Sequence, residues 1–141
     1  MRIQGKLISI IICALAMSGT FNACSAGACN VVPDIQVTER ISLIQYPQLR
    51  VAQQSVAIEY GGVAGLIVVS LGNNQYIAYD RSSTVEPHKR CAVEVDGLVT
   101  ATDPCSGATF ILTNGSPSHL AECPLKPYRA TLSGETILIT N

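Results

Sequence analysis

From Val37 onward no stretch of this chain sustains a helical period. Instead, β-branched and apolar runs of four to eight residues are broken at short intervals by Gly, Asn, Asp, Ser and Pro. The firmest of these signals is Gly65 to Leu71 (GLIVVSL), then Gly72-Asn73-Asn74, then Gln75 to Asp80 (QYIAYD). An unbroken apolar run reads as a strand covered on both faces, and the turn after it predicts a hairpin. Further strands are expected at Val37 to Ile44, Ser55 to Tyr60, Cys91 to Val95, Leu98 to Ala101, Thr109 to Leu112, Tyr128 to Thr131 and Thr136 to Thr140. Asp96-Gly97, Asn114-Gly115 and Ser133-Gly134 supply turns, and an irregular helical turn is expected within Pro47 to Gln54. Only 13% of the 141 residues are charged, which fits an ordered all-β domain and argues against a coiled coil or a disordered chain.

The first residues obey a different pattern. Arg2 and Lys6 precede Leu7 to Met17, an uncharged run of eleven residues. Crossing a hydrocarbon core as a helix takes about 20 residues, so the run reads as the apolar segment of an export signal, not as a membrane anchor. Phe21-Asn22-Ala23-Cys24 follows it and resembles a bacterial lipobox, with Phe21 where Leu is usual. That resemblance implies cleavage before Cys24 and lipidation of its thiol. Ala26-Gly27-Ala28-Cys29 is a second candidate, and plain secretion with cleavage near Ala23 or Ala28 is the other reading. Residues 1–23 are therefore expected to be a lipoprotein signal peptide, 24–35 a flexible tether and 36–141 the folded domain. The expected location is the cell envelope, with the lipid in the outer membrane.

Without residues 1–23 the chain has seven basic and ten acidic residues, a net charge of −3. No phosphate backbone is tracked by such a surface, so nucleic acid is set aside as a partner.

Two regions fall outside the strand pattern, Arg81 to Arg90 (RSSTVEPHKR) and Asp103 to Ala108 (DPCSGA). Pro104-Cys105-Ser106-Gly107-Ala108-Thr109-Phe110, then Asn114-Gly115-Ser116-Pro117, then Pro124-Leu125-Lys126-Pro127-Tyr128, resembles the second half of Rieske iron–sulfur domains. The likeness runs from about Ser55 to the C-terminus and is nearest to small Rieske-like lipoproteins of Bacteroidetes type. It implies a Rieske-like fold of short antiparallel strands in stacked small sheets, with two cluster-type loops at one tip.

The family's 2Fe–2S cofactor is held by two thiolates on one iron and two imidazoles on the other. Carried onto this chain, the first ligand pair falls on Ser83 and Val85, and the second on Asp103 and Ser106. Seventeen residues separate Val85 from Asp103, which suits the family's spacing, yet none of the four is Cys or His. Val85 has no donor atom, hydroxyls are poor substitutes for thiolate, and one carboxylate cannot hold two irons. The resemblance thus implies a domain with no cluster expected. It also implies a disulfide between Cys91 and Cys105, because many Rieske domains bridge one extra Cys from each loop. The exported location favours such a bond. Cys29 and Cys123 form a second bridge if they pair, and Cys123 is otherwise a buried free thiol.

Zinc on His88, Cys91, Cys105 and Asp103 lacks a C-x-x-C anchor, and His88 and His119 read as exposed loop residues. The loop Ser118-His119-Leu120-Ala121 departs from the family's usual Gly-Pro-Ala. Three functions compete: a non-redox envelope lipoprotein with a structural or binding role, a 2Fe–2S electron carrier with atypical ligands, and a Ser/His/Asp hydrolase. No nucleophile elbow supports the last, so no catalytic residue is assigned. The first is preferred, with the membrane as partner through the lipid. An envelope protein would meet the polar tip formed by Arg81, Glu86, His88, Lys89 and Arg90.

Overall fold

A computed structural model describes residues 29–141; the export signal, the lipobox and Cys24 lie outside them. The described chain is all-β and antiparallel, with no α-helix and hence no helix able to cross a membrane. Ten strands build two sheets. The larger contains β1 (Thr38–Ser42), β2 (Ser55–Ile58), β3 (Leu66–Gly72), β4 (Gln75–Asp80), β9 (Pro127–Ser133) and β10 (Thr136–Thr140), in the order β1-β10-β9-β4-β3-β2. The smaller runs β5 (Glu94–Val95), β6 (Thr100–Thr102), β7 (Thr109–Ile111) and β8 (Pro117–His119) in sequence order.

β3 shows how the sheets stack. Leu66 and Val68 point into one core with Ile41, Leu49, Val56, Ile58, Ile137 and Ile139. Both edge strands of the large sheet contribute to that core, so the sheet curls around it. Ile67 and Val69 face the other way, into a second core with Tyr79, Val93, Ala101, Phe110, Leu112 and Leu125. That core joins the large sheet to the small one. Residues 66–70 are all buried, as an unbroken apolar run predicts.

Two close approaches require glycine. A Cβ on Gly115, at φ +74°, would lie 2.6 Å from the Tyr79 ring; one on Gly62, at φ +62°, would lie 2.4 Å from the Asp80 carboxylate. Asp80 is fully buried. It accepts from the amides of Val63 (2.6 Å), Ala64 (3.2 Å) and Ser82 (2.8 Å) and from the Tyr128 hydroxyl (2.8 Å). These bonds fix where β4 ends and the first tip loop begins.

Three expectations need correction. Residues 29–35 do not hang free as part of a tether. Val32 is buried, Lys126 Nζ reaches the carbonyls of Val32 and Pro33 and the Asp34 carboxylate, and Asn141 donates to the Ile35 carbonyl. The proline-containing loop holds a strand, because Pro117–His119 pairs with β7 at the sheet edge, where a proline lacking an amide hydrogen is tolerated. The strand expected at Cys91 to Val95 shrinks to Glu94–Val95, since Cys91 and Ala92 are held in the tip.

Candidate functional site

The first tip loop leaves β4 at Arg81 and returns at Val93. Its neck is closed by Val93 N to Arg81 O (2.7 Å), Ser83 N to Cys91 O (2.8 Å) and a Ser82–Ala92 bridge. A single 3-10 turn, Pro87–Lys89, forms its outer end, flanked by Glu86 and Arg90 in left-handed conformation. The second loop links β6 to β7, and Asp103 N to Ala108 O with Gly107 N to Asp103 O, both 2.8 Å, fold it into a tight turn. A disulfide between Cys91 and Cys105 joins the two loops, with Cα atoms 6.3 Å apart. Thr84 Oγ1 donates to the Cys123 carbonyl (2.7 Å), which ties in a third segment.

All four positions matched to cluster ligands lie at this tip, and three are bonded together. The Ser83 and Ser106 hydroxyls donate to the same oxygen of Asp103, at 2.6 and 2.5 Å, and the Cys105 amide donates to the other at 2.8 Å. Ser83 Oγ also accepts from the Val85 amide at 3.1 Å. The Val85 side chain packs against the second core. Asp103 is 1% exposed. Burial opposes its charge, but the Ser106 and Ser83 hydroxyls and the Cys105 and Ser106 amides outweigh it and hold the carboxyl below the usual range. The carboxylate and its donors thus form a closed set.

Of the four residues weighed for zinc, Cys91, Asp103 and Cys105 come together, with their sulfur and oxygen atoms all within 4.8 Å of one another. His88 is not among them, and it is exposed, as is His119. Ser118 Oγ pairs with Thr109 Oγ1 at 2.7 Å across β7 and β8.

Arg81 also departs from expectation. It is 7% exposed, with Nη1 2.6 Å from Glu59 and Nε donating to the Val93 carbonyl at 3.1 Å. It braces the loop neck and leaves only Glu86, His88, Lys89 and Arg90 on the surface, where Lys89 pairs with Glu86 at 2.7 Å. Asp80 is an organising residue that sequence reasoning passed over, and Arg81 is one that it placed on the surface. The one clue to them is the charged pair Asp80-Arg81 closing the unbroken apolar run Tyr76 to Tyr79.

Cys29 and Cys123 form the second disulfide, with Cα atoms 5.2 Å apart across 94 positions. It pins residues 29–35, an N-terminal strap, beside the tip. A groove of about 400 Å³ lies there, lined by Cys29, Val32, Asp34, Thr84, Leu125 and Lys126 among others.

This arrangement of a curled antiparallel sheet, a small second sheet and paired loops at one tip is the Rieske-like fold. It aligns with a chain in the complex of reduced oxygenase and oxidized ferredoxin in carbazole 1,9a-dioxygenase at a TM-score of 0.50 and 18% identity, over 75% of this chain and 94% of that one. The ferredoxin of carbazole 1,9a-dioxygenase from Nocardioides aromaticivorans IC177 gives a TM-score of 0.48 and 18% identity, over 74% and 94% of the two chains. A proposed NADH-dependent nitrite reductase small subunit from Mycobacterium tuberculosis gives 0.46 and 17%, over 77% and 97%. At 18% identity the first of these likenesses is one of fold alone. No family model and no curated protein matches the sequence.

Proposed function

We propose that the chain is a lipoprotein of the cell envelope, anchored through Cys24, whose Rieske-like domain has lost its 2Fe–2S cluster and serves a structural or binding role. The observation that carries this reading is the closed set at the tip. Where a cluster requires two thiolates and two imidazoles, the matched positions hold two hydroxyls, an isopropyl group and one carboxylate. The hydroxyls spend their hydrogen bonds on Asp103, and Val85 packs into the core. The tip's two sulfurs are bonded to each other, so neither is a thiolate. These residues do not fit the cluster, and no electron-transfer step is routed through one. The basic n-region, short apolar run and Ala23-Cys24 support export and lipidation. No nucleophile motif supports catalysis, and the exposed end of the first loop is the surface offered to an envelope protein.

Iron and acid-labile sulfide, measured with a visible spectrum on mature protein prepared anaerobically, test the reading. The expected result is a colourless protein without iron. Stoichiometric iron and sulfide in the folded fraction overturn it in favour of an electron carrier with atypical ligands. Mass spectrometry of the mature N-terminus tests the anchor, and an unmodified Cys24 would refute lipidation.

A further inference from the structure

The tip carries a group with a chemistry beyond bracing. Cys91 Sγ, Cys105 Sγ and an Asp103 carboxylate oxygen lie within 4.8 Å of one another. Ligand atoms around a tetrahedral zinc ion sit about 3.5–3.8 Å apart, given bonds of about 2.3 Å to sulfur and 2.0–2.2 Å to oxygen. Once the sulfur–sulfur bond is gone, the three atoms need shifts on the order of 1–2 Å to meet that geometry. Cys105 lies on an exposed turn, so its sulfur has room to move. A Cβ added to the neighbouring Gly107 would touch only the Leu120 side chain, at 3.9 Å. The Asp103 carboxylate is fixed in place by the Ser83 and Ser106 hydroxyls and the Cys105 amide, which hold one of its oxygens beside the two sulfurs.

We propose that the Cys91–Cys105 disulfide is a redox gate over a metal site: the oxidised tip binds no metal, and the reduced tip binds a thiophilic divalent ion of the zinc class through Cys91, Cys105 and Asp103. The proposal rests on the reading that no cluster occupies this tip. The reductant is a dithiol protein. Its thiolate attacks Cys105 Sγ, the exposed partner; the Cys91–Cys105 bond breaks and Cys91 leaves with the electron pair, taking a proton from solvent. The second thiol of the reductant then attacks its own half of the mixed disulfide and releases Cys105 as a thiol, so two electrons and two protons pass to the tip while the reductant becomes a disulfide. Metal binding releases both thiol protons. Two thiolates and one carboxylate on a divalent ion leave a fourth position for water or a partner's side chain, the arrangement of an open zinc site.

Cobalt(II), whose thiolate complexes absorb in the near ultraviolet, is the probe. The mature chain carrying Cys24→Ser, Cys29→Ser and Cys123→Ser, which keeps only the tip pair, is titrated with cobalt before and after reduction by a phosphine. The expected result is a charge-transfer band saturating at one cobalt per reduced chain, competed away by zinc, and no band for the oxidised chain. Asp103→Asn should weaken binding at least about tenfold, since a ligand is lost where even outer-shell partners matter that much. No band in the reduced chain, or a band equal in oxidised and reduced chains, overturns the proposal. So does undiminished affinity in Asp103→Asn. If either variant fails to fold, the fully reduced natural chain is compared with Cys91→Ala: loss of the band supports the site, and its retention overturns it. Iron and sulfide in the starting protein would sink the empty-tip reading itself; iron-free protein that ignores cobalt sinks only the gate.

Discussion

The two disulfides lie at the same end of the molecule yet do different physical work. Cys91–Cys105 spans 14 positions and holds two neighbouring loops that are already joined by hydrogen bonds through Ser83 and Asp103. Cys29–Cys123 spans 94 positions and fastens the N-terminal strap to a segment far along the chain. The chain-entropy account gives about 3 kcal/mol for the first and about 4.7 kcal/mol for the second. A short bridge in a hydrogen-bonded neighbourhood shapes a site, whereas a long one secures the fold against unfolding.

The sharpest test of that contrast is to open each bridge separately. Cys29→Ser with Cys123→Ser should lower unfolding free energy by about 4 to 5 kcal/mol, and Cys91→Ser with Cys105→Ser by about 3 kcal/mol, read from denaturant melts of the oxidised proteins. Equal losses would show that loop length does not govern the difference. Next in size is Asp103→Ala, which strands two hydroxyls and an amide and should cost about 2 kcal/mol. The same carboxylate makes the tip acid-sensitive. Its folded pKa lies below its unfolded value, so the unfolded chain takes up the proton first. The stabilisation is therefore complete above about pH 4, the ordinary Asp range, and is lost as pH falls through the depressed folded value. Acid melts of the natural chain and of Asp103→Ala should converge over that window; parallel curves would remove Asp103 from the account.

The smallest effect lies between the sheets, away from both bridges. The buried Tyr79 hydroxyl meets no partner among the described residues, and burial pushes its pKa up to about 12. Tyr79→Phe should stabilise by up to about 1 kcal/mol, because an unpaired buried hydroxyl is removed at nearly constant volume. A loss on thermal melting would reveal a partner for that oxygen.

The strands with a strong pattern were legible from residues alone. β3 read as doubly covered because five consecutive buried positions are all apolar or small, and β4 followed from the Asn73-Asn74 turn. β8 was not legible, since Pro117-Ser118-His119 carries neither alternation nor β-branching and pairs only as an edge. The strap misled for a related reason. Small polar residues resemble a spacer, and only the distant Cys123, Lys126 and Asn141 reveal that it is docked. At the tip, the resemblance singled out Ser83, Val85, Asp103, Ser106 and the Cys91–Cys105 pair, residues that the fold brings together. It gave no hint that both hydroxyls would share one carboxylate oxygen, a matter of rotamers and not of spacing.

The docked strap also limits the reach of the proposed anchor. Were Cys24 the acylated residue, five peptide steps would separate it from the pinned Cys29, a reach of at most about 18 Å. The strap runs past His88 and Arg90 as well as the bridge, so that reach is measured from the loop end of the domain. On the proposed anchoring, a domain held that closely would ride near the lipid headgroups with its loops turned toward them, and a partner of those loops would have to approach along the bilayer plane.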